Sequence, residues 1–154
     1  MIRVAGPSVA DIEEIAALAA EADVFYGDVR NDPLEERRSQ IHEALFSEDY
    51  FAHMLLAWDG DNLVGFATYS FLWPAAGLTR SLFLKELFVS ASARRRRVGT
   101  LLMQTVFEVA KRSKCSRVEW QTEADNGIAR SFYARFGGGE LNGKVLYRMS
   151  LPPG

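Results

Sequence analysis

The chain of 154 residues is long enough for one domain with a sizeable core, and its 48% hydrophobic and 25% charged residues are typical of a globular protein. No apolar run approaches the ~20 residues that cross a membrane, and the first residues lack the apolar core of a signal peptide. One cysteine excludes an internal disulfide, and two histidines with one cysteine argue against a zinc site. We therefore predict a single cytoplasmic domain over residues 1–154 with no metal.

The net charge of −2 conceals an uneven distribution of charge along the chain. Residues 1–84 carry 5 basic and 14 acidic side chains, which gives −9, whereas residues 85–154 carry 13 basic and 6 acidic side chains, which gives +7. This asymmetry indicates an anionic ligand on one side and a cationic ligand on the other. The alternative is that most of these charges are ordinary solvated surface.

The first third of the chain predicts one strand and two helices. Ile2–Ala5 is a short apolar stretch typical of a strand. Ser8 can cap a first helix because Asp11 follows three residues later, and the apolar stripe of that helix fades near Asp23. Pro33 is suited to the start of a second helix.

Three strands are predicted in the middle of the chain. Tyr50–Trp58 and Leu63–Leu72 are rich in strand-forming residues and flank the turn-like Asp59–Asn62, so they predict a hairpin. Leu82–Val89 is apolar at nearly every position, which indicates burial on both faces of a sheet.

The last third predicts two helices that alternate with two strands. One helix begins near Val98, a strand covers Arg117–Thr122, Asp125 or Asn126 caps the next helix, and Val145–Leu151 is the final strand. The order β-α-α-β-β-β-α-β-α-β predicts an α/β domain with a mixed, mostly antiparallel sheet of six to seven strands flanked by about four helices.

Four consecutive arginines, Arg94–Arg97, lie between the third predicted strand of the middle section and the helix that begins near Val98. A helix N-terminus has N–H groups without internal partners and the positive end of the helix dipole, so it can bind a diphosphate. Arginine adds charge in a fork suited to phosphate, and Gly99 permits close backbone approach. A solvated loop or a nucleic-acid contact would also explain the cluster, although no nucleic-acid module is recognisable.

The segment LFVSASARRRRVGTLL resembles the acetyl-CoA motif of the GNAT acetyltransferases, Arg/Gln-x-x-Gly-x-Gly/Ala after a strand. Arg94 matches the first position and Gly99 the last, while Arg97 replaces the first glycine. A second segment, from Asn126 to Gly137, resembles the family's Asn-x-x-Ala…Tyr…Gly pattern. The resemblance spans nearly the whole chain and is closest to the diamine (spermidine/spermine and thialysine) acetyltransferase branch.

The resemblance implies the acyl-CoA N-acyltransferase fold and transfer of an acetyl group from acetyl-CoA to a primary amine by direct attack in a ternary complex. It implies that Tyr133 protonates the leaving thiolate, that Asn126 holds the pantetheine arm, and that a backbone N–H near Phe88 or Val89 stabilises the developing oxyanion. From the residues alone, Tyr133 could equally be a core aromatic and Asn126 a simple helix cap. The implied cofactor-binding residues are Leu87, Phe88, Val89, Arg94, Arg95, Arg96, Arg97, Val98, Gly99, Thr100, Asn126, Arg130, Tyr133 and Arg135.

The general base is an open question in the sequence. Where the polyamine enzymes carry an acidic residue, this chain has Lys85, with Glu86 beside it. Neighbouring strand residues face opposite ways unless a bulge intervenes. Glu86 is the leading candidate for the base, with Glu119 and Asp28 as alternatives. The non-catalytic interpretation is that Glu86 is buried and forms an ion pair with an arginine.

The acceptor site is expected to combine flat apolar surface with carboxylates, which suits a small amine. Tyr69 is a further aromatic candidate, and the predicted substrate-binding residues are Phe25, Tyr26, Asp28, Trp73, Lys85, Glu86 and Trp120. The leading hypothesis is an N-acetyltransferase that acts on a small amine and forms a homodimer, with no nucleic-acid or membrane partner. The alternatives are acetylation of a protein N-terminus or lysine, and a non-catalytic acyl-CoA sensor.

Overall fold

The computed structural model describes residues 1–28 and 32–152, and the chain divides into two compact units, Met1–Gln121 and Thr122–Gly154. None of the helices in these described stretches combines the length and apolarity that crossing a membrane requires.

The first unit is built on a mixed sheet in which neighbours in sequence are also neighbours in space. All pairs are antiparallel except the last, which is parallel. In the order in which they lie in the sheet, the strands are β1 (Ile2–Ala5), β2 (His53–Asp59), β3 (Asn62–Leu72), β4 (Arg80–Val89) and β5 (Cys115–Trp120).

Four α-helices complete the described fold, three in the first unit and one in the second. They are α1 (Ile12–Phe25), α2 (Leu34–Phe46), α3 (Val98–Arg112) and α4 (Gly127–Ala134). The α/β class, the mostly antiparallel sheet and the number of helices are therefore confirmed.

Local sequence signals set several of the helix boundaries. The Asp11 carboxylate accepts a hydrogen bond from the Ser8 N–H at 2.8 Å, so the predicted pair caps the 3-10 turn Val9–Asp11 that leads into α1. Pro33 lies immediately before α2, where its missing N–H costs no helical hydrogen bond. α1 continues to Phe25, two residues beyond Asp23, where the apolar stripe was expected to fade.

The sheet is covered on both faces. Phe66 belongs to the buried cluster that includes Ile15 of α1, whereas the backbone at Gly65 faces Val98 and Leu102 of α3. Because consecutive strand residues point to opposite faces, α1 and α3 lie on opposite sides of β3. This explains why the central strands are apolar at nearly every position.

Gly65 allows α3 to begin very close to the sheet. A Cβ atom at Gly65 would lie 3.1 Å from the carbonyl oxygen of Phe88, 3.1 Å from Val98 Cγ1 and 3.3 Å from Leu102 Cδ1. A side chain at this position would require Val98, Leu102 or the β4 backbone to shift by a few tenths of an ångström. The absence of a side chain here therefore permits the close approach of α3 to the sheet.

The predicted strand Val145–Leu151 is wrong, since these residues have no regular secondary structure. The sheet formed by the described residues consequently has five strands rather than six or seven. The segment has strand-like composition, but a strand exists only through the ladder it forms with a neighbour, and these residues form none. Tyr147 and Met149 are accordingly exposed.

The turn from β4 to α3 passes through two left-handed residues. After a short 3-10 segment at Ala91–Ala93, Arg95 has φ 66° and Arg97 has φ 64°. This conformation costs a residue with a side chain roughly 1–2 kcal/mol, and glycine adopts it freely. Arg97 thus keeps the backbone shape that a glycine at its motif position would favour.

This backbone shape predicts the effect of glycine at position 97. Arg97→Gly and Arg97→Ala remove the same charge, but only glycine relieves the left-handed strain, so we expect the glycine variant to be more stable than the alanine variant by about 1 kcal/mol. Urea unfolding of both variants measures the difference. Equal unfolding free energies would contradict a left-handed residue at this position.

Candidate active site

The outer edge of β4 is open along its second half. β5 pairs with β4 from Arg80, opposite Cys115, to Leu84, opposite Trp120, and β5 ends there. Residues 86–89 remain paired with β3 on the other side, but no strand of the first unit's described residues pairs with their outer edge. Unpaired backbone N–H and C=O groups on a strand edge can bind an extended ligand.

The predicted cofactor-binding residues Leu87, Phe88 and Val89 all lie on this open segment. The Leu87 carbonyl accepts a hydrogen bond from the Tyr26 hydroxyl at 3.3 Å. The segment therefore offers backbone groups to a ligand beside an aromatic residue that was predicted to bind the acceptor.

A β-bulge lies where the open segment begins. Leu84 pairs with Tyr69 and Glu86 pairs with Thr68, so Lys85 is an extra residue without a partner on β3. A bulge bends the strand and re-aims the side chains around it. As a result Lys85 is exposed and Glu86 is half-buried, which provides the bulge that the sequence argument for Glu86 required.

Glu86 lies in surroundings that favour its neutral form. Burial raises the pKa of the Glu86 carboxyl above its ordinary value, the neighbouring Asp23 carboxylate raises it further, and Lys85 partly opposes both. Burial also raises the pKa of Tyr26, with a contribution from Glu86, while Arg94 lowers it. A carboxyl with a raised pKa is a better proton acceptor once it is ionised.

The four arginines of the turn have different roles within the chain. Arg94 lies over the ring of Phe25, 4.6 Å from its centroid, and donates to the Val89 carbonyl at 3.4 Å. Arg96 forms an ion pair with Asp59 at 2.7 Å. Within the described residues Arg95 and Arg97 form no ion pair, and both are exposed.

The first turn of α3 adds backbone donors to this charge. The first helical hydrogen bond runs from the Leu101 N–H to the Arg97 carbonyl at 3.0 Å. The N–H groups of Val98, Gly99 and Thr100 therefore precede the helical ladder and have no carbonyl partner within the helix. Together with Arg95, these groups form a surface suited to a diphosphate.

Sequence analysis missed Glu21, which holds the start of the turn. Its carboxylate accepts hydrogen bonds from the Ser90 hydroxyl at 3.0 Å and from the Ala91 N–H at 3.1 Å. Ser90 is buried, and its own N–H donates to the Val64 carbonyl at 2.8 Å. Glu21 is one of several acidic residues on α1, and no local signal distinguishes it from its neighbours.

Of the predicted acceptor residues at the end of α1, Tyr26 lies close enough to Glu86 for the Glu86 charge to raise its pKa. Phe25 is 5.1 Å from Tyr26 and 5.8 Å from Phe88 between ring centroids. Asp28 follows the turn that ends α1. Asp23, which the sequence did not single out, adds a second carboxylate near Glu86 and forms an ion pair with Arg37 at 2.9 Å.

The two predicted tryptophans lie in different places. Trp120 pairs with Leu84 at the point where β4 and β5 part, and its ring is 6.1 Å from Phe107. Trp73 follows the end of β3, roughly 16 Å along the strand from Thr68. Its indole N–H donates to the Leu78 carbonyl at 2.9 Å, so the structure does not bring Trp73 together with Glu86.

The remaining candidates of the first unit are the alternative base and the extra aromatic. Glu119 lies on β5, 3.5 Å from Arg117. Tyr69 stacks on His53 with ring centroids 5.2 Å apart and lines a separate cavity.

The second unit contains the other predicted motif. Asn126 caps α4 by accepting a hydrogen bond from the Ala129 N–H at 3.0 Å, which confirms its role as a helix cap. Tyr133 lies edge-on to Phe132, with ring centroids 5.2 Å apart.

The two arginines of α4 have contacts of their own. Arg130 donates to the Ala124 carbonyl at 2.9 Å and to Glu140 at 2.8 Å. Arg135 lies over the Phe132 ring at 5.3 Å. Their predicted cofactor roles stay predictions.

Among residues 1–28 and 32–152, no group of three or more histidine, cysteine, aspartate or glutamate side chains is arranged to hold a metal ion.

Comparison with known proteins identifies the family of the chain. The model of the acetyltransferase (GNAT) family matches residues 14–138. The chain is 28% identical over 105 residues to the Uncharacterized N-acetyltransferase YhfO of Bacillus subtilis (strain 168), covering 68% of this chain and 70% of that protein.

Solved structures extend the similarity over nearly the whole chain. An integron cassette protein from the mobile metagenome of V. cholerae is 26% identical, with a TM-score of 0.87 over 97% of this chain and 92% of that one. The aminoglycoside N-acetyltransferase AAC(6')-Iy, crystallised with CoA, shares the fold at 18% identity, with a TM-score of 0.77 over 98% and 96%.

The family model covers most of the chain. The chain therefore belongs to the GNAT family of acetyltransferases and is an acetyl-CoA-dependent N-acetyltransferase.

Proposed function

We propose that this enzyme acetylates a small primary amine by direct attack in a ternary complex, with Glu86 as the general base. The observation that carries the proposal is the position of Glu86, half-buried at the bulge where the open segment of β4 begins. An amine must lose a proton before it attacks, and a carboxylate with a raised pKa is suited to accept it directly or through water.

A cationic acceptor fits the charges around Glu86. Asp23 and Glu86 are close enough for one carboxylate to raise the pKa of the other, and a bound ammonium ion would relieve that repulsion. Phe25 and Tyr26 supply flat surface for the carbon stem of the amine.

Lys85 narrows the acceptor class. The Lys85 ammonium group is exposed beside Glu86 and lowers the pKa of the Glu86 carboxyl, so it lies close to the proposed position of the amine. A second positive charge on the substrate would be repelled there. We therefore favour an amine with one positive charge over the polyamines suggested by the resemblance to the diamine acetyltransferase branch.

The open edge of β4 is proposed to bind the acyl donor. Acetyl-CoA supplies the acetyl thioester, and the predicted oxyanion donor is a backbone N–H near Phe88 or Val89 on that edge. Arg95, together with the N–H groups that open α3, is proposed to bind the diphosphate. Tyr133 is proposed to protonate the departing thiolate, on the support of the family motif.

A thiol-release assay with an amine panel tests the proposed acceptor. We expect butylamine to release CoA with a kcat/KM at least about tenfold above that of spermidine, because Lys85 repels the additional charges. Lys85→Gln should raise the activity on spermidine, while Lys114→Gln, which removes an equal charge from the loop after α3, should leave it unchanged. A lysine peptide as the best acceptor would favour protein acetylation, and acetyl-CoA binding without release from any amine would favour a sensor.

Replacing Glu86 should lower kcat/KM and remove the part of its pH dependence that comes from the ionisation of this carboxyl. We expect Glu86→Gln to lower kcat/KM by about 100-fold or more, within the usual contribution of a general base. In the parent enzyme kcat/KM should rise with pH through a pKa above the ordinary glutamate value, because only the ionised carboxylate accepts a proton and burial raises that pKa. The glutamine variant should lack this step in its pH–rate profile.

Glu119→Gln is the control, since Glu119 is the alternative base on β5. If Glu119→Gln lost the acidic step and Glu86→Gln kept it, the base would be reassigned to Glu119.

Tyr133→Phe tests the proposed proton donor. We expect kcat to fall by about 100-fold while the Kd for acetyl-CoA changes little, because the hydroxyl acts on the leaving group. Calorimetry and a thiol-release assay measure the two quantities. Tyr147→Phe is a matched control, because Tyr147 is exposed in the same unit, and unchanged kcat in Tyr133→Phe would exclude the role.

The expected cellular setting is part of the proposal. We propose a cytoplasmic homodimer without nucleic-acid or membrane partners, on the support of the single cysteine and of the family resemblance.

A further inference from the structure

A cavity lies in the first unit, away from the candidate active site. Its volume is about 530 Å³, and it lies between the start of β2, the end of α2 and the last turn of α3. The basic turn precedes the first residue of α3, whereas Val109 and Arg112 at the other end of α3 line this cavity. A 15-residue helix is roughly 20 Å long, so the cavity and the proposed CoA surface are separated by the length of α3.

One wall of the cavity is aromatic. His53 and Tyr69, which are cross-strand partners, stack with ring centroids 5.2 Å apart and an angle of 13° between the rings. Tyr50 lies edge-on to His53 at 5.8 Å. Phe71 packs edge-on against both stacked rings, at 5.1 Å from His53 and 5.9 Å from Tyr69, and so restricts their movement. Such a wall presents fixed ring surfaces to a planar ligand.

The charge of the cavity is positive. Arg112 is the only charged residue among the described residues that line it, and no carboxylate does so. Arg112 forms no ion pair with the described residues. Burial raises the pKa of Tyr69, and the charge of Arg112 partly opposes this increase.

A second guanidinium lies behind the aromatic wall. Arg80 is 4.5 Å from the centroid of the Phe71 ring and donates to the Ser113 carbonyl at 3.0 Å. Burial and the charge of Arg80 lower the pKa of His53, so His53 is neutral near pH 7 and the cavity's own cation is Arg112.

We propose that this cavity is a second binding site, and that it takes a small planar aromatic carboxylate. The ring packs on the wall formed by His53, Tyr69 and Tyr50, and the carboxylate pairs with Arg112. Arginine and carboxylate match in charge and in hydrogen-bond geometry, and a cavity of this size accommodates a single aromatic ring with its substituents.

Three small probes separate the two features of the ligand. Benzoate has the ring and the negative charge, benzylamine has the ring with a positive charge, and cyclohexanecarboxylate has the charge without an aromatic ring. Calorimetry on the full chain with saturating CoA should give benzoate an affinity about tenfold or more above either of the others. No benzoate binding up to its solubility, or equal binding of benzylamine, would overturn the proposal.

Variants locate the binding. Arg112→Gln should weaken benzoate about tenfold, whereas Lys111→Gln, which removes the same charge one residue earlier on α3 outside the cavity lining, should leave it unchanged. An equal loss in both variants would attribute binding to net charge and overturn the site.

NMR on the unmodified chain gives a second readout that does not depend on how a variant folds. Nuclear Overhauser contacts from benzoate protons to the ring protons of Tyr50 and Tyr69 are expected. Contacts only to residues of the basic turn, or displacement of benzoate by CoA, would overturn the proposal.

Discussion

The backbone polar groups of a strand need hydrogen-bond partners, and β4 loses its β5 partner after Leu84. The rest of the active site is arranged around this open segment. The bulge at Lys85 places Glu86 at its start, and the basic turn with α3 follows its end. One strand therefore carries the proposed base and the backbone groups that are proposed to bind the acyl donor, and it leads into the turn that is proposed to bind the diphosphate.

Cationic and anionic side chains lie close together near the end of α1. Arg94 lies over the ring of Phe25. The charge of Glu86 raises the pKa of Tyr26, and the charge of Arg94 lowers it. Cationic and anionic groups thus flank one pair of aromatic rings. The distribution of −9 and +7 over the two parts of the chain indicated two kinds of ligand, and the folded first unit brings the residues suited to each within a short distance.

Much of the fold could be predicted because its signals are local. Apolar periodicity, the Ser8–Asp11 pair and Pro33 define helices through residues a few positions apart. The predicted strand at Val145–Leu151 was wrong. Residue composition indicates which residues a strand tolerates, whereas a strand forms only when it pairs with a neighbouring strand. The bulge at Lys85 likewise could not be predicted from local sequence, because it is defined by the pairing register between β4 and β3.

Sequence analysis named candidate site residues where the family motif specifies them, and it did not single out residues whose partners are distant in sequence. Arg97 departs from the motif in residue type but adopts the backbone that glycine favours, and sequence alone could not establish this. Asp23 and Glu21 were not singled out, because their partners lie on β4 and in the segment after it. Conversely, Trp73 has suitable chemistry but is used to hold its own loop.

The hydrogen bonds of Glu21 connect segments 69 and 70 residues apart in sequence. The order of folding events follows from this separation, because a contact between distant residues forms only after the intervening chain has closed into a loop. A synthetic peptide of residues 81–103 would contain every residue of the CoA motif, yet it would lack both Glu21 of α1 and Val64 of β3, which hold Ser90 and Ala91. The conformation of the turn that is proposed to bind the diphosphate therefore depends on the assembled first unit and not on the motif residues alone.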